Sequence, residues 1–164
     1  MNMLMDKPFV LMEGFILDKK IIMTSGSFDL FHYGHLNILL KAKALGDILI
    51  VGVSTDKLIE SYKGIKPIIS YKDRVAIIKE LKCVDRVVKQ TKVVDIHQFL
   101  KLKADIFVLG DDWKNNYTHD GINQLRACKS VVWVPYTKRL STSSIKEKII
   151  RNAIPNLQSQ YGRK

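Results

Sequence analysis

The chain predicts an α/β protein, a Rossmann-like doubly wound parallel sheet of about five strands with helices on both faces in a single domain. Three observations carry this. Five short apolar segments, at 20–24, 47–53, 84–88, 106–109 and 131–135, are close to continuous in hydrophobicity. Strands covered on both faces read this way, whereas half-exposed strands alternate. Segments with helical spacing separate them, at 34–45, 70–82, 94–102 and 121–128, and a last helix begins at Ser141, Thr142 or Ser143 and runs to Arg151. Third, the clusters of Gly, Ser, Thr, Asp and His fall just after strands, where such sheets bind ligands.

Ile21-Ile22-Met23 forms the heart of the first strand. Gly26 then marks a turn, and Leu36-Asn37-Ile38-Leu39-Leu40 carries the first helix. Ser70 and Asp73 make a capping pair for the 70–82 helix. Pro155 lies beyond the end expected for the last helix. Residues 1–19 are an N-terminal extension whose apolar stretches are interrupted by Asp6, Glu13 and Asp18, unlike a secretory signal. The domain spans 20–152, and 153–164 is a polar tail expected to fray.

Hydrophobic content of 46% and charged content of 26% are those of an ordinary soluble domain, and 164 residues suffice for one sizeable core. No apolar run approaches the ~20 residues of a membrane span. Cys83 and Cys128 lack metal-ligand spacing and read as free thiols of a reducing, cytoplasmic setting. The net charge of +11 attracts polyanions, but the lysines are dispersed, without the basic, aromatic-interleaved stripe of a nucleic-acid module. Phosphorylated metabolites fit this balance.

The stretch Gly26-Ser27-Phe28-Asp29-Leu30-Phe31-His32-Tyr33-Gly34-His35 is the most telling. It places two histidines three positions apart at a helix start, where open N–H groups favour anions and both rings share a face. His32 and His35 can then meet the phosphates of a nucleotide. Asp29 reads as a turn-former, with ligand contact as the alternative. Asp111-Asp112 after the fourth strand can hold a divalent cation, bond ribose hydroxyls or cap a helix, and Trp113 reads as packing. Ser141-Thr142 at the last helix start offers hydroxyls and N–H groups to phosphate. Arg74 sits in a first helical turn, where a cation is disfavoured by the dipole, so phosphate or a carboxylate must hold it there. All these segments converge on one crevice.

The HxGH stretch after a G-x-F-D turn resembles the nucleotide-binding signature of the cytidylyltransferase superfamily, in particular its glycerol-3-phosphate branch. Supporting stretches are Val51-Gly52-Val53-Ser54-Thr55-Asp56, Gly110-Asp111-Asp112-Trp113 and Ser141-Thr142, and the likeness runs over 21–149. The resemblance implies transfer of CMP from CTP to a small phosphorylated alcohol, glycerol 3-phosphate as the first candidate, with Mg²⁺ and release of pyrophosphate. It implies catalytic roles for His32, His35 and Lys63, the last in a loop before Gly64. It places the nucleotide against Gly26, Ser27, Phe28, His32, Gly34, His35, Asp112, Thr137, Ser141 and Thr142. Lys66, Arg74 and Arg139 are assigned to the acceptor or its phosphate, and no metal ligands are assigned. A homodimer is also implied. The family's R-T-x-G-I-S-T reads Tyr136-Thr137-Lys138-Arg139-Leu140-Ser141-Thr142 here, which leaves Arg139 or Lys138 as candidates to supply the missing positive charge. Alternatives are another polyol phosphate or a phospho- or phosphono-amino-alcohol as acceptor, adenylyl transfer from ATP, a nucleotide sensor without turnover, and a nucleic-acid module.

Overall fold

A computed structural model describes the backbone of residues 9–12, 15–116, 118–137 and 140–161, with side chains over 18–116, 118–137 and 140–153. Strands β1 (Phe9–Met12) and β2 (Phe15–Asp18) form a small antiparallel ladder within the N-terminal extension. The remaining strands are β3 (Ile21–Gly26), β4 (Ile48–Ser54), β5 (Arg86–Gln90), β6 (Ile106–Gly110) and β7 (Val131–Val134). They pair in parallel in the order β5-β4-β3-β6-β7. The chain starts at the centre, builds one edge, then returns to build the other. That reversal leaves a crevice beyond the carboxyl end of β3, between β4 and β6.

The helices are α1 (Tyr33–Lys43), α2 (Asp56–Lys63), α3 (Tyr71–Lys79), α4 (Ile96–Lys101), α5 (Asp120–Ala127) and α6 (Thr142–Tyr161). Strand periodicity splits the core in two. Ile22, Val51 and Val108 pack with Leu39 and Ala42 of α1 and Ile78 of α3 on one face. Met23, Phe107 and Leu109 pack with Phe99 of α4 and Ile122 and Leu125 of α5 on the other. Successive residues of one strand thus serve opposite layers, as the pleat requires.

Three aspartates pin the end of the sheet away from the crevice. Asp47, Asp85 and Asp105 immediately precede or begin the approach to β4, β5 and β6. Their carboxylates accept from the backbone N–H of Lys20, Leu49 and Ile21 at 2.8, 2.7 and 2.8 Å. Lys43 adds an ion pair to Asp85 at 2.6 Å.

Two expectations are corrected. The last helix does not stop near Arg151 but runs past Pro155 to Tyr161, so most of the expected polar tail is helical. A proline removes one hydrogen bond and crowds the carbonyl four residues back, which kinks a helix without necessarily ending it. Lys63 is not in a loop but closes α2, and Gly64 caps it in the left-handed region at φ 70° with its N–H on the Glu60 carbonyl. Only glycine adopts that conformation without strain, so the chain turns sharply just after Lys63.

Candidate active site

The crevice is a cavity of about 360 Å³ beyond the carboxyl ends of the central strands. Its floor is the turn after β3. Phe28 and Leu30 there take positive φ angles of 53° and 47°, in a region that bulky side chains rarely occupy. The surrounding contacts hold that conformation in place. Phe28 is buried under Gly26, and Arg74 ties down the carbonyl of Ser27.

His32 is the N-cap of α1, and its Nδ1 accepts the Gly34 N–H at 3.1 Å. The His32 N–H in turn donates to Nδ1 of His35 at 3.4 Å. Together these make a capping box built from two imidazoles. The helix start therefore caps itself, and the Gly34 N–H is not open to an anion. The ring nitrogen left uncommitted on each imidazole is Nε2, and both rings line the cavity. With Nδ1 accepting on both, the hydrogen-bond pattern assigns the proton of each neutral ring to Nε2. Each Nε2–H is then a fixed donor. The rings stack with centroids 3.9 Å apart, and a Cβ on residue 34 would lie 2.9 Å from the His32 ring. Glycine at 34 is a steric requirement of the pair.

Burial among Phe28 and Phe31, with the charges of His32 and Lys63 nearby, pushes His35 down to about 3. Burial also lowers His32. Both rings are neutral donors at neutral pH. Between the unfolded value of 6.5 and the folded value near 3, the unfolded chain binds the extra proton. Stability is accordingly lost as pH falls through that window. Urea midpoints measured at pH 7, 5 and 4 should fall more steeply for the wild type than for His35→Gln. Parallel curves would contradict the neutral, buried imidazole.

Lys63 reaches the cavity from the end of α2, with Tyr62 beside it. Burial and the nearby Lys146 lower its pKa, opposed by Asp29. Asp29 itself is 3% exposed and acts as a clasp. One carboxylate oxygen accepts from the N–H groups of both Ile68 and Ile69 at 3.0 Å, and the other pairs with Lys146 of α6 at 3.2 Å. Its backbone carbonyl takes the Thr142 hydroxyl at 3.0 Å. Burial alone would raise its pKa, but these amides and Lys146 hold it below the usual carboxylate range. Asp29 thus ties the histidine turn to the loop after Lys63 and to α6.

On the far side lie Leu109, Gly110, Asp112, Trp113, Tyr136 and Leu140. Asp111 spends its carboxylate on the Tyr136 N–H at 2.8 Å, which leaves Asp112 as the only carboxylate among the described residues lining the cavity. Burial, with Asp111 next to it, raises the Asp112 pKa despite backbone N–H bonds. Thr137 is fixed to α1 by Asn37 at 2.8 Å, and the Ser141 hydroxyl accepts from the Ser144 N–H at 3.0 Å at the start of α6.

All ten positions expected to hold the nucleotide line this cavity, as does Lys63. Two residues assigned to the acceptor lie outside the cavity lining. Lys66 is exposed and outside the cavity, because the Gly64 turn carries the chain away. Arg74 is 1% exposed and fully engaged. Its guanidinium donates to the carbonyls of Ile69, at 2.9 Å, and Ser27, and pairs with Asp56 at 2.6 Å. A structural carboxylate and two carbonyls hold it, not a phosphate. Arg74→Met should cost about 3 kcal/mol in urea unfolding, as expected when one side of a buried pair is removed. Arg74→Lys should recover little of it, because an ammonium cannot reproduce the fork. A loss below half that size would show the pair to be dispensable. Arg139 and Lys138 lie outside the described residues. Trp113 both packs in the second core layer and lines the cavity. Tyr62, Asp29 as a clasp and Lys146 had no local signature in the sequence. Their roles arise from contacts between distant segments.

Comparison with known proteins agrees with this geometry. The cytidylyltransferase-like family model matches residues 23–148. Glycerol-3-phosphate cytidylyltransferase of Bacillus spizizenii is 41% identical over 133 residues, covering 79% of this chain and 95% of that one. The bifunctional protein HldE of Helicobacter pylori is 44% identical over 134 residues, covering 81% of this chain, which spans 28% of that protein's length. The crystal structure of a lipopolysaccharide core biosynthesis protein from Thermoplasma volcanium aligns with a TM-score of 0.60 at 30% identity, over 74% of this chain and 99% of that one. With the histidine pair, the crevice and these relatives in agreement, the chain belongs to the cytidylyltransferase-like family of nucleotidyltransferases.

Proposed function

We propose that the protein transfers CMP from CTP to a small phosphorylated alcohol, glycerol 3-phosphate first among them, and releases pyrophosphate. The observation that carries this reading is the pair of stacked, neutral imidazoles that line the crevice, each held by its Nδ1 so that Nε2–H is left as the donor. The likeness to a glycerol-3-phosphate cytidylyltransferase along almost that enzyme's full length supports the choice of nucleotide and acceptor.

In the reaction an acceptor phosphate oxygen forms a bond to the α-phosphorus of CTP as the bond to the β-phosphate oxygen breaks. The acceptor oxygen is already anionic, so no general base is needed. Negative charge spreads over the equatorial oxygens, and catalysis is positioning plus charge stabilisation. His32 and His35 donate to the reacting phosphate. Lys63 supplies the cation between acceptor and nucleotide. The backbone N–H groups of Thr142 and Ser143, in the first turn of α6, offer further donors to the leaving pyrophosphate.

Among the described residues no cluster of three or more His, Cys, Asp or Glu is placed to hold a metal. That suits Mg²⁺, which keeps its waters and travels on substrate phosphates with one or two protein carboxylates. Asp112 is the carboxylate in reach of the cavity, and the ion would neutralise phosphate charge there.

The test is pyrophosphate release from CTP or ATP with Mg²⁺ across a panel of phosphorylated alcohols. Turnover with CTP and a polyol phosphate supports the reading. Activity with ATP alone, or nucleotide binding without turnover, would end it.

A further inference from the structure

The cavity has two unlike ends on either side of the histidine pair. Toward β6 and β7 it is lined by Trp113, Tyr136, Leu109 and Leu140, with Asp112. Flat apolar surfaces beside a carboxylate suit a base and a ribose. Toward β4 and β5 it is lined by Ser25, Ser54, Tyr62, Lys63 and Val93. That end holds hydroxyl groups and one cation, with no carboxylate among the described residues.

Ser54 stands out there. It is the last residue of β4, only 5% exposed, and lines the cavity. Ser25 of β3, which also lines the cavity and pairs with Gly52 of β4, uses its hydroxyl on the Val93 carbonyl at 3.3 Å. The Ser54 hydroxyl makes no hydrogen bond to any described residue, yet it is not sealed from the cavity. A hydroxyl open to the cavity and bonded to no described residue is free to meet a ligand hydroxyl there.

We propose that Ser54 is the specificity-determining residue of the acceptor subsite, its hydroxyl bonding a neutral hydroxyl of the phosphorylated alcohol whose phosphate lies at Lys63. This rests on the transferase reading and deepens it. The acceptor class that follows is a short neutral polyol phosphate. An amino-alcohol phosphate would bring an ammonium to an end that already carries Lys63 and has no carboxylate to receive it.

The test compares glycerol 3-phosphate with propyl phosphate, which keeps the phosphate and three-carbon chain but lacks the hydroxyls. Pyrophosphate release at saturating CTP gives kcat/KM for each in the wild type and in Ser54→Ala. The variant should lower kcat/KM for glycerol 3-phosphate by about 3- to 12-fold, the range of one net hydrogen bond. It should leave propyl phosphate and the KM for CTP unchanged. Because the ratio of the two acceptors is measured in one protein, a loss of folded enzyme cancels from it. An unchanged ratio overturns the assignment, as does a raised KM for CTP, or phosphoethanolamine serving as well as glycerol 3-phosphate. No turnover of CTP by the wild type with any acceptor would instead fail the transferase reading itself.

Discussion

His35→Ala is expected to lower kcat for CTP-dependent pyrophosphate release by about 10²- to 10³-fold, the usual cost of removing one preorganised donor to transition-state charge. The ring acts without a proton to give up, since its pKa lies near 3, far below the working range. No acidic limb near pH 6.5 should therefore appear in the pH–rate profile on account of His35. His32→Ala is expected to act similarly, with an added loss of about 1 kcal/mol in stability because it also removes the cap of α1. The two rings stack and share one capping box, so they should behave as a unit. The double variant should then be little worse than either single one, as for other residues that act together. Multiplying effects would show that the rings touch different phosphates independently. Near-wild-type rates in both single variants would place the reacting phosphate elsewhere.

The layered architecture was legible because its signals are local. Runs such as Ile48–Ser54 are apolar on both faces, and Ser70 and Asp73 cap α3 as their spacing demands. The histidine turn was equally plain, since Gly26, Gly34 and both imidazoles lie within ten residues. What the chain did not display were contacts across long separations. Asp29 joins Ile68, Ile69, Thr142 and Lys146, and nothing near Asp29 in sequence marks that clasp. Arg74 was correctly suspect as a cation in a first helical turn, but its partner Asp56 lies 18 residues away. Lys66, assigned to the acceptor by resemblance, stands exposed outside the cavity just past the left-handed turn at Gly64. Most strand and helix ends moved by three residues at most and the end of the last helix by ten, because termini are set by partners as much as by propensity.

Lys63→Ala is expected to lower kcat by about 10²-fold, comparable with the loss of a charged donor at developing phosphate charge. The cation is held where it is by three features. Gly64 ends α2 immediately after it, Asp29 fastens the following loop, and Tyr62 packs beside it. Burial and the neighbouring Lys146 lower its pKa. The charged form is lost as pH rises through that lowered value, so kcat should fall on the alkaline side at a pH below the ordinary lysine range. Lys63→Arg keeps the charge with a pKa beyond reach, and should shift that alkaline limb upward while turning over more slowly, since the guanidinium is bulkier and planar. Lys66→Ala is the natural comparison, as its side chain stands outside the cavity. Its rate should match the wild type at every pH. An alkaline limb that stays in place in Lys63→Arg would mean another group sets it. A strong loss in Lys66→Ala would mean that the loop folds back over the acceptor during turnover, with the two lysines sharing the phosphate.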